Sequence, residues 1–280
     1  MRNIAYYNGE ISTLEELKIP VLDRAVYFGD GVYDVAFIDN GHFFALDEHI
    51  DRFINSCRLI DIEPPCSREE LEEVFNGLIA KLEGIKSGIL YWQASRATAN
   101  RDHPYPTNAK SNLLVWIKEK GLPDIKVPLS LITVPDVRYS LCNIKTINLI
   151  PNVMASQRAV EAGCDEAVQI RDGVVTECAH SNISIIKDGK FITHPLDCRI
   201  LPGIARGHVL ALCRELGIPV EEREYSLNEL MNADEIIVTS TTKLCSAANV
   251  LDGYKVGGKA PELVEKIQDA YLAKVARETL

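Results

Sequence analysis

Three short turn signals constrain this chain more than any other feature. Asp39-Asn40-Gly41, Asp172-Gly173 and Asp188-Gly189 each separate two apolar-rich runs. That is the pattern of a tight β-hairpin, because these residues accept the positive φ such turns require. Helical patterns lie between them. Ser67-Arg68-Glu69-Glu70 forms a capping box, followed by an apolar stripe of Leu71, Val74, Phe75, Leu78, Ile79 and Leu82, with Gly84 placed to close the helix. Ile50, Phe53, Ile54 and Cys57 predict a helix from Asp47, and further helices are predicted over Pro151–Ala162, through LPGIARGHVLALCRELG, and from Pro261. VPLSLITVP, CNIKTINLI and EIIVTS read as strands or strand-like segments. Hairpins and helices mixed without a regular βαβ alternation or an internal repeat predict an α+β fold.

At 280 residues the chain is long enough for two domains. The polar, Gly- and Pro-containing stretch 119–124 reads as a linker between a small N-terminal domain (1–118) and a larger C-terminal one (125–280). Hydrophobic residues at 46% and charged residues at 25% are globular values and exclude long disordered regions. No apolar run approaches the roughly 20 residues that span a bilayer, and the first residues lack the apolar core of a signal peptide. With 30 Lys and Arg against 40 Asp and Glu, the net charge of −10 disfavours nucleic acid as a partner. A cytoplasmic protein acting on small molecules, away from membranes, is the expectation. The 8 cysteines show no C-x-x-C pair and no metal-ligand spacing, so they read as buried free thiols, and no metal is expected.

Two charged residues stand out. Lys145, in CNIKTINLI, is flanked by apolar and β-branched residues. It either faces solvent from a strand or is held in a cleft, where a desolvated lysine becomes a nucleophile. Glu177, at the end of a hairpin in VVTECAHSN, poses the same alternative between a surface carboxylate and a site residue.

Six segments bear on that choice: GDGVYDV (29–35), DEHIDR (47–52), IKTINL (144–149), TECAHSNI (176–183), LPGIAR (201–206) and TSTTK (239–243). In sequence order they resemble the segments of fold-type IV pyridoxal-phosphate enzymes, a two-domain α+β family of transaminases and lyases. The resemblance spans about residues 3–250. It implies that Lys145 carries pyridoxal phosphate and later shuttles a proton, and that Glu177 faces the pyridine nitrogen. It assigns Arg52 to the phosphate, although helical phase alone reads that residue as a solvated charge. Ile204 and Ala205 would offer backbone N–H groups to the same phosphate, and Ser240 and Thr241 hydroxyls. Arg101-Asp102-His103 looks like the R-x-H element with which D-amino acid transaminases hold the substrate carboxylate, and Tyr33 matches the tyrosine that completes that trap. The resemblance also implies a homodimer in which this loop reaches the partner's site.

The implied activity is transfer of an amino group between D-amino acids, of the D-alanine or D-glutamate type, and 2-oxo acids by a ping-pong route. An aminodeoxychorismate-type lyase and a branched-chain L-amino acid transaminase are the alternatives. Cys178 and His180 depart from the small residues usual beside the glutamate, and Ala205 lacks the hydroxyl often found at the phosphate helix. His42, His49, His194 and His208 read as structural.

Overall fold

A computed structural model describes residues 3–82, 84–121 and 124–279. The chain divides into two compact units. The first comprises Met1–Leu122, Ile144–Asn148 and Glu278–Leu280; the second comprises Pro123–Asn143 and Leu149–Arg277. Lys145 therefore belongs to the first unit, which corrects the assignment of this lysine to a C-terminal domain 125–280. Leu122 and Pro123, in the expected linker, lie outside the described residues.

The first unit runs β1 (Asn3–Tyr7), β2 (Glu10–Ser12), α1 (Arg24–Phe28), β3 (Gly31–Asp39), β4 (His42–Phe44), α2 (Leu46–Leu59), α3 (Arg68–Ile79), β5 (Ser87–Ser95) and β6 (Asn112–Glu119). Its strands form an antiparallel sheet in the order β2-β1-β6-β5-β3-β4. Alternation along the strands sends Ile4, Val32, Ala36, Ile38, Leu90, Trp92, Val115 and Ile117 into one core with Ile50, Phe53 and Cys57 of α2 and Leu71, Phe75 and Leu78 of α3. The Ser67–Glu70 capping box is formed at the start of α3. That helix ends at Ile79, before Gly84, whose φ of 74° serves a turn beyond it.

The segment CNIKTINLI is not a strand. Within it, Thr146 makes an isolated bridge to Val32. Tyr33 N–H donates to the Lys145 carbonyl at 2.9 Å, and Ile147 N–H to the Gly31 carbonyl at 3.1 Å. Gly31 is required here, because a Cβ would collide with the Ala94 carbonyl oxygen.

The second unit contains β7 (Leu129–Pro135), α4 (Ile150–Glu161), β8 (Glu166–Arg171), β9 (Val174–Cys178), β10 (Asn182–Lys187), β11 (Lys190–Thr193), α5 (Ile204–Glu215), β12 (Val220–Glu222), α6 (Leu227–Met231), β13 (Glu235–Ser240), β14 (Leu244–Leu251), β15 (Tyr254–Lys255) and α7 (Pro261–Glu278). Its sheet has the order β12-β11-β10-β13-β14-β7-β8-β9, with β15 on β14. The β8–β9 and β10–β11 pairs turn at Asp172-Gly173 and Asp188-Gly189 as expected, whereas β11–β12, β14–β7 and β7–β8 are parallel. Val168, Val175, Ile183, Ile185, Ile236 and Val238 are among its core residues.

Phe75 is fully buried, with its ring centroid 4.9 Å from that of Trp92. Phe75→Ala should cost about 3–5 kcal/mol, read as a lower-temperature loss of near-ultraviolet circular dichroism. An unchanged melt would contradict this packing.

Candidate active site

In the first unit, β3 presents neighbouring residues to opposite faces. Tyr33 meets Lys145, whose Nζ lies 4.4 Å from the phenol ring centroid, a cation–π distance. The Lys145 backbone N–H donates to Ser56 Oγ of α2 at 3.3 Å. Tyr33 stacks on Tyr91 at 5.5 Å, and Tyr91 on Trp116 at 4.9 Å, so one aromatic row crosses β3, β5 and β6. Tyr91 is fixed in turn by its hydroxyl donating to Gln93 Oε1 at 2.8 Å.

On the other face, Asp34 is fully buried and accepts from Arg52 Nε at 2.8 Å and Nη2 at 2.6 Å. His49 Nδ1 lies 2.7 Å from the same carboxylate. Burial alone would raise the Asp34 carboxyl, but the Arg52 guanidinium overcomes it and holds Asp34 well below the usual carboxylate range. Burial pushes His49 down, so a neutral imidazole donates Nδ1–H to Asp34. Arg52, with a side chain only 10% exposed, is not the solvated charge that helical phase predicts. Nor is His49 a stray structural histidine. Sequence reasoning missed Asp34 and His49 as members of this site; the signals were the i, i+3 spacing of His49 and Arg52 on one helix and the adjacency of Asp34 to Tyr33.

Arg101 and His103 are exposed and gather elsewhere in the first unit, on Phe28. Arg101 Cζ is 5.1 Å from that ring centroid, and the His103 ring is 5.3 Å away.

In the second unit, three donors converge on Glu177, a residue only 6% exposed: an Arg138 guanidinium nitrogen, Asn182 Nδ2 at 3.1 Å and the Leu201 N–H at 3.0 Å. Arg138 also grips Asp136 through Nη2 at 2.9 Å. Burial would raise Asp136, but hydrogen bonding to Arg138 pulls it down to about 2. Arg138 was absent from the sequence reading, lying 39 positions from Glu177. Asn182 also donates to the Leu201 carbonyl at 2.9 Å, and its Oδ1 stands where a Cβ on Gly203 would be. Gly203 is the N-cap of α5 and offers no capping side chain, so the first-turn N–H groups of Ile204 and Ala205 form an anion cradle.

The Asn182–Thr239 register brings the end of β13, with Ser240 and then Thr241, beside the start of β10. Ser240 Oγ accepts the Lys243 N–H at 3.1 Å. Of the two departures near Glu177, Cys178 is packed in the core, where burial pushes its thiol far up. His180 Nδ1 lies 3.0 Å from Glu166 Oε2.

A phosphate, a ring nitrogen acceptor and an amine each find matching chemistry: uncapped helix amides, a carboxylate held by three donors, and a lysine Nζ seated on an aromatic face. The residues present fit pyridoxal phosphate.

Because the folded-state value of Asp34 lies below its ordinary 3.8, its stabilisation is present above about pH 4 and is lost as pH falls through that range; Asp136 contributes with the same sign. Asp34→Asn strands Arg52 without its countercharge, a cost of about 3–5 kcal/mol. Its melting temperature should fall at neutral pH and vary less than wild type between pH 5 and roughly 2. Parallel pH profiles for the two proteins would contradict this assignment.

A model of the family described as amino-transferase class IV matches residues 31–249. A D-alanine aminotransferase from Bacillus licheniformis is 38% identical over 276 residues, covering 98% of this chain and 97% of that protein. One from Staphylococcus haemolyticus is 36% identical over 270 residues, covering 95% of each. Among solved structures, a bacterial-type branched-chain amino acid aminotransferase complexed with N-(5'-phosphopyridoxyl)-L-glutamate superposes with a TM-score of 0.88 at 25% identity, over 98% of this chain and 94% of that one. The branched-chain amino acid aminotransferase from the archaeon Thermoproteus uzoniensis, solved with norvaline, shares the fold with a TM-score of 0.87 at 23% identity, over 98% of this chain and 96% of that one. The family match contains Lys145, Glu177, Arg52 and the start of α5, and with near-full-length relatives on either side of it the chain belongs to the class IV aminotransferases, with their fold-type IV architecture.

Proposed function

We propose that this chain is a pyridoxal-phosphate-dependent transaminase that exchanges the amino group between D-amino acids, of the D-alanine or D-glutamate type, and 2-oxo acids. The observation that carries the reading is the seating of Lys145 Nζ on Tyr33, a primary amine held against a phenol by a long-range backbone contact. The sequence similarity to D-alanine aminotransferases supports the substrate class.

Bound pyridoxal phosphate supplies an electron sink for the substrate Cα. Arg52, the Ile204 and Ala205 amides, Ser240 and Thr241 bind the phosphate. Glu177, fixed by Arg138 and Asn182, holds the proton at the ring nitrogen. Lys145 releases the cofactor to an incoming amino acid and moves a proton from Cα, which makes it the general base and then the general acid of each half-reaction. Arg101, His103 and Tyr33 hold the substrate carboxylate and so select which face of Cα meets Lys145. Within a homodimer, Arg101 and His103 of one chain serve the Lys145 site of the other. The cytoplasm is the proposed compartment; among the described residues, no helix is long and apolar enough to cross a membrane.

The purified protein should be yellow, and Lys145→Ala should abolish the visible absorbance bound through that amine. Incubated with D-alanine and 2-oxoglutarate, the wild type should form pyruvate and glutamate in equal amounts. Pyruvate from aminodeoxychorismate without glutamate would point instead to the lyase, and a preference for L-leucine or L-valine to the branched-chain enzyme that the solved structures resemble. A colourless protein that ignores added cofactor would overturn the whole reading.

Mixing Lys145→Ala chains with Arg101→Ala chains tests assembly. Shared sites predict recovery of one intact site per mixed dimer, and no recovery would contradict sharing.

A further inference from the structure

The loop bearing Arg101 and His103 is exposed, yet buried charge fixes it from beneath. Arg24, 3% exposed, donates from Nη1 to the Asp102 carbonyl at 2.6 Å and from Nη2 to the His103 carbonyl at 3.4 Å. Its Nε donates to Asp30 Oδ2 at 2.7 Å. Arg96, also buried, donates from Nε to the same oxygen at 2.9 Å. The remaining Arg96 donors take the Asp61 and Ile60 carbonyls, each at 2.7 Å, at the end of α2. The Arg96 guanidinium carbon lies 3.5 Å from the ring centroid of Tyr105, further along the loop. One carboxylate thus sets two guanidinium groups, and these hold the loop at two places. Phe28 completes the arrangement by facing Arg101, His103 and, at 4.7 Å, Arg24 itself.

We propose that Asp30, acting through Arg24 and Arg96, is a positioning residue that preorders Arg101 and His103 for the substrate carboxylate. An exposed arginine on an unrestrained loop loses both backbone and rotamer freedom when it closes on an anion. A loop whose carbonyls are already bonded to a buried guanidinium has lost the backbone part before substrate arrives. Asp30 touches neither substrate nor cofactor in this scheme. Its effect passes wholly through the loop.

The inference rests on the proposed carboxylate role of Arg101 and His103, and a double-mutant cycle on the holoenzyme separates the two. Asp30→Asn should raise KM for D-alanine and for 2-oxoglutarate by about 3- to 10-fold, as expected for one side chain's ordering. Its kcat should stay within about twofold, and the visible absorbance should not move. In an Arg101→Ala background the same substitution should add little further, because its route is already cut. Phe28→Leu keeps an apolar side chain but removes the ring, and should show the same KM effect and the same loss of additivity; it decides the matter if Asp30→Asn does not fold. Equal KM increases in both backgrounds, or a fall in kcat or visible absorbance with KM unchanged, would overturn the positioning role. If Arg101→Ala alone leaves KM unchanged, the carboxylate role itself fails; if it raises KM while Asp30→Asn and Phe28→Leu do not, only the present inference fails.

Discussion

The open edge of β3 is the constraint on which the first unit's chemistry depends. Its partner β4 covers only Phe37–Asp39, leaving the N–H and C=O groups near Gly31 and Tyr33 to find acceptors and donors elsewhere. Residues 144–148 supply them through the Tyr33–Lys145 and Gly31–Ile147 hydrogen bonds. The Asn148 amide adds a 2.6 Å bond to the Gly29 carbonyl. Satisfying a strand edge therefore delivers the lysine. Strand alternation does the rest, turning Tyr33 toward Lys145 and Asp34 toward α2, where Arg52 and His49 wait.

Buried arginines recur as clamps in both units. Arg24, Arg96, Arg138 and Arg206 are each at most 9% exposed, and each pairs with a carboxylate while giving further donors to main-chain carbonyls. Arg138 reaches the Arg199 carbonyl and Arg206 the His194 carbonyl, as Arg24 reaches Asp102 and His103. A guanidinium in the interior loses its hydration, and only a full set of acceptors offsets that loss. Carbonyls of irregular segments are unmet acceptors near the same interior. Pairing the two resolves both deficits and pins loops that have no ladder of their own.

What was legible in the sequence follows from range. The hairpins at Asp39-Asn40-Gly41, Asp172-Gly173 and Asp188-Gly189 and the Ser67–Glu70 box are written within four residues, and local chemistry suffices to read them. Lys145, Glu177 and the 201–206 segment stand out through resemblance, not through their own periodicity. The apolar flanks of Lys145 suggest a strand because Ile144 and Ile147 mimic alternation; in the fold they anchor a single bridge, and Ile144 is buried in the core of the first unit. Asp30, Asp34 and Arg138 were invisible because their meaning lies in partners distant along the chain, such as Arg96 at 66 positions from Asp30. Arg52 was misread for the same reason, since a helical wheel registers the helix and not the aspartate facing it.

The aromatic row ending on Tyr33 has an optical consequence. The chain holds 2 tryptophans. Trp92 is fully enclosed, with Phe53 at 5.9 Å and Phe75 at 4.9 Å. Trp116 instead terminates the stack that runs through Tyr91 to Tyr33 and Lys145. Intrinsic emission therefore separates into a dry-core component that follows folding and a second component coupled to the rings beside the reactive amine. A Trp92→Phe protein would carry a single native fluorophore two rings from Lys145, with no external dye.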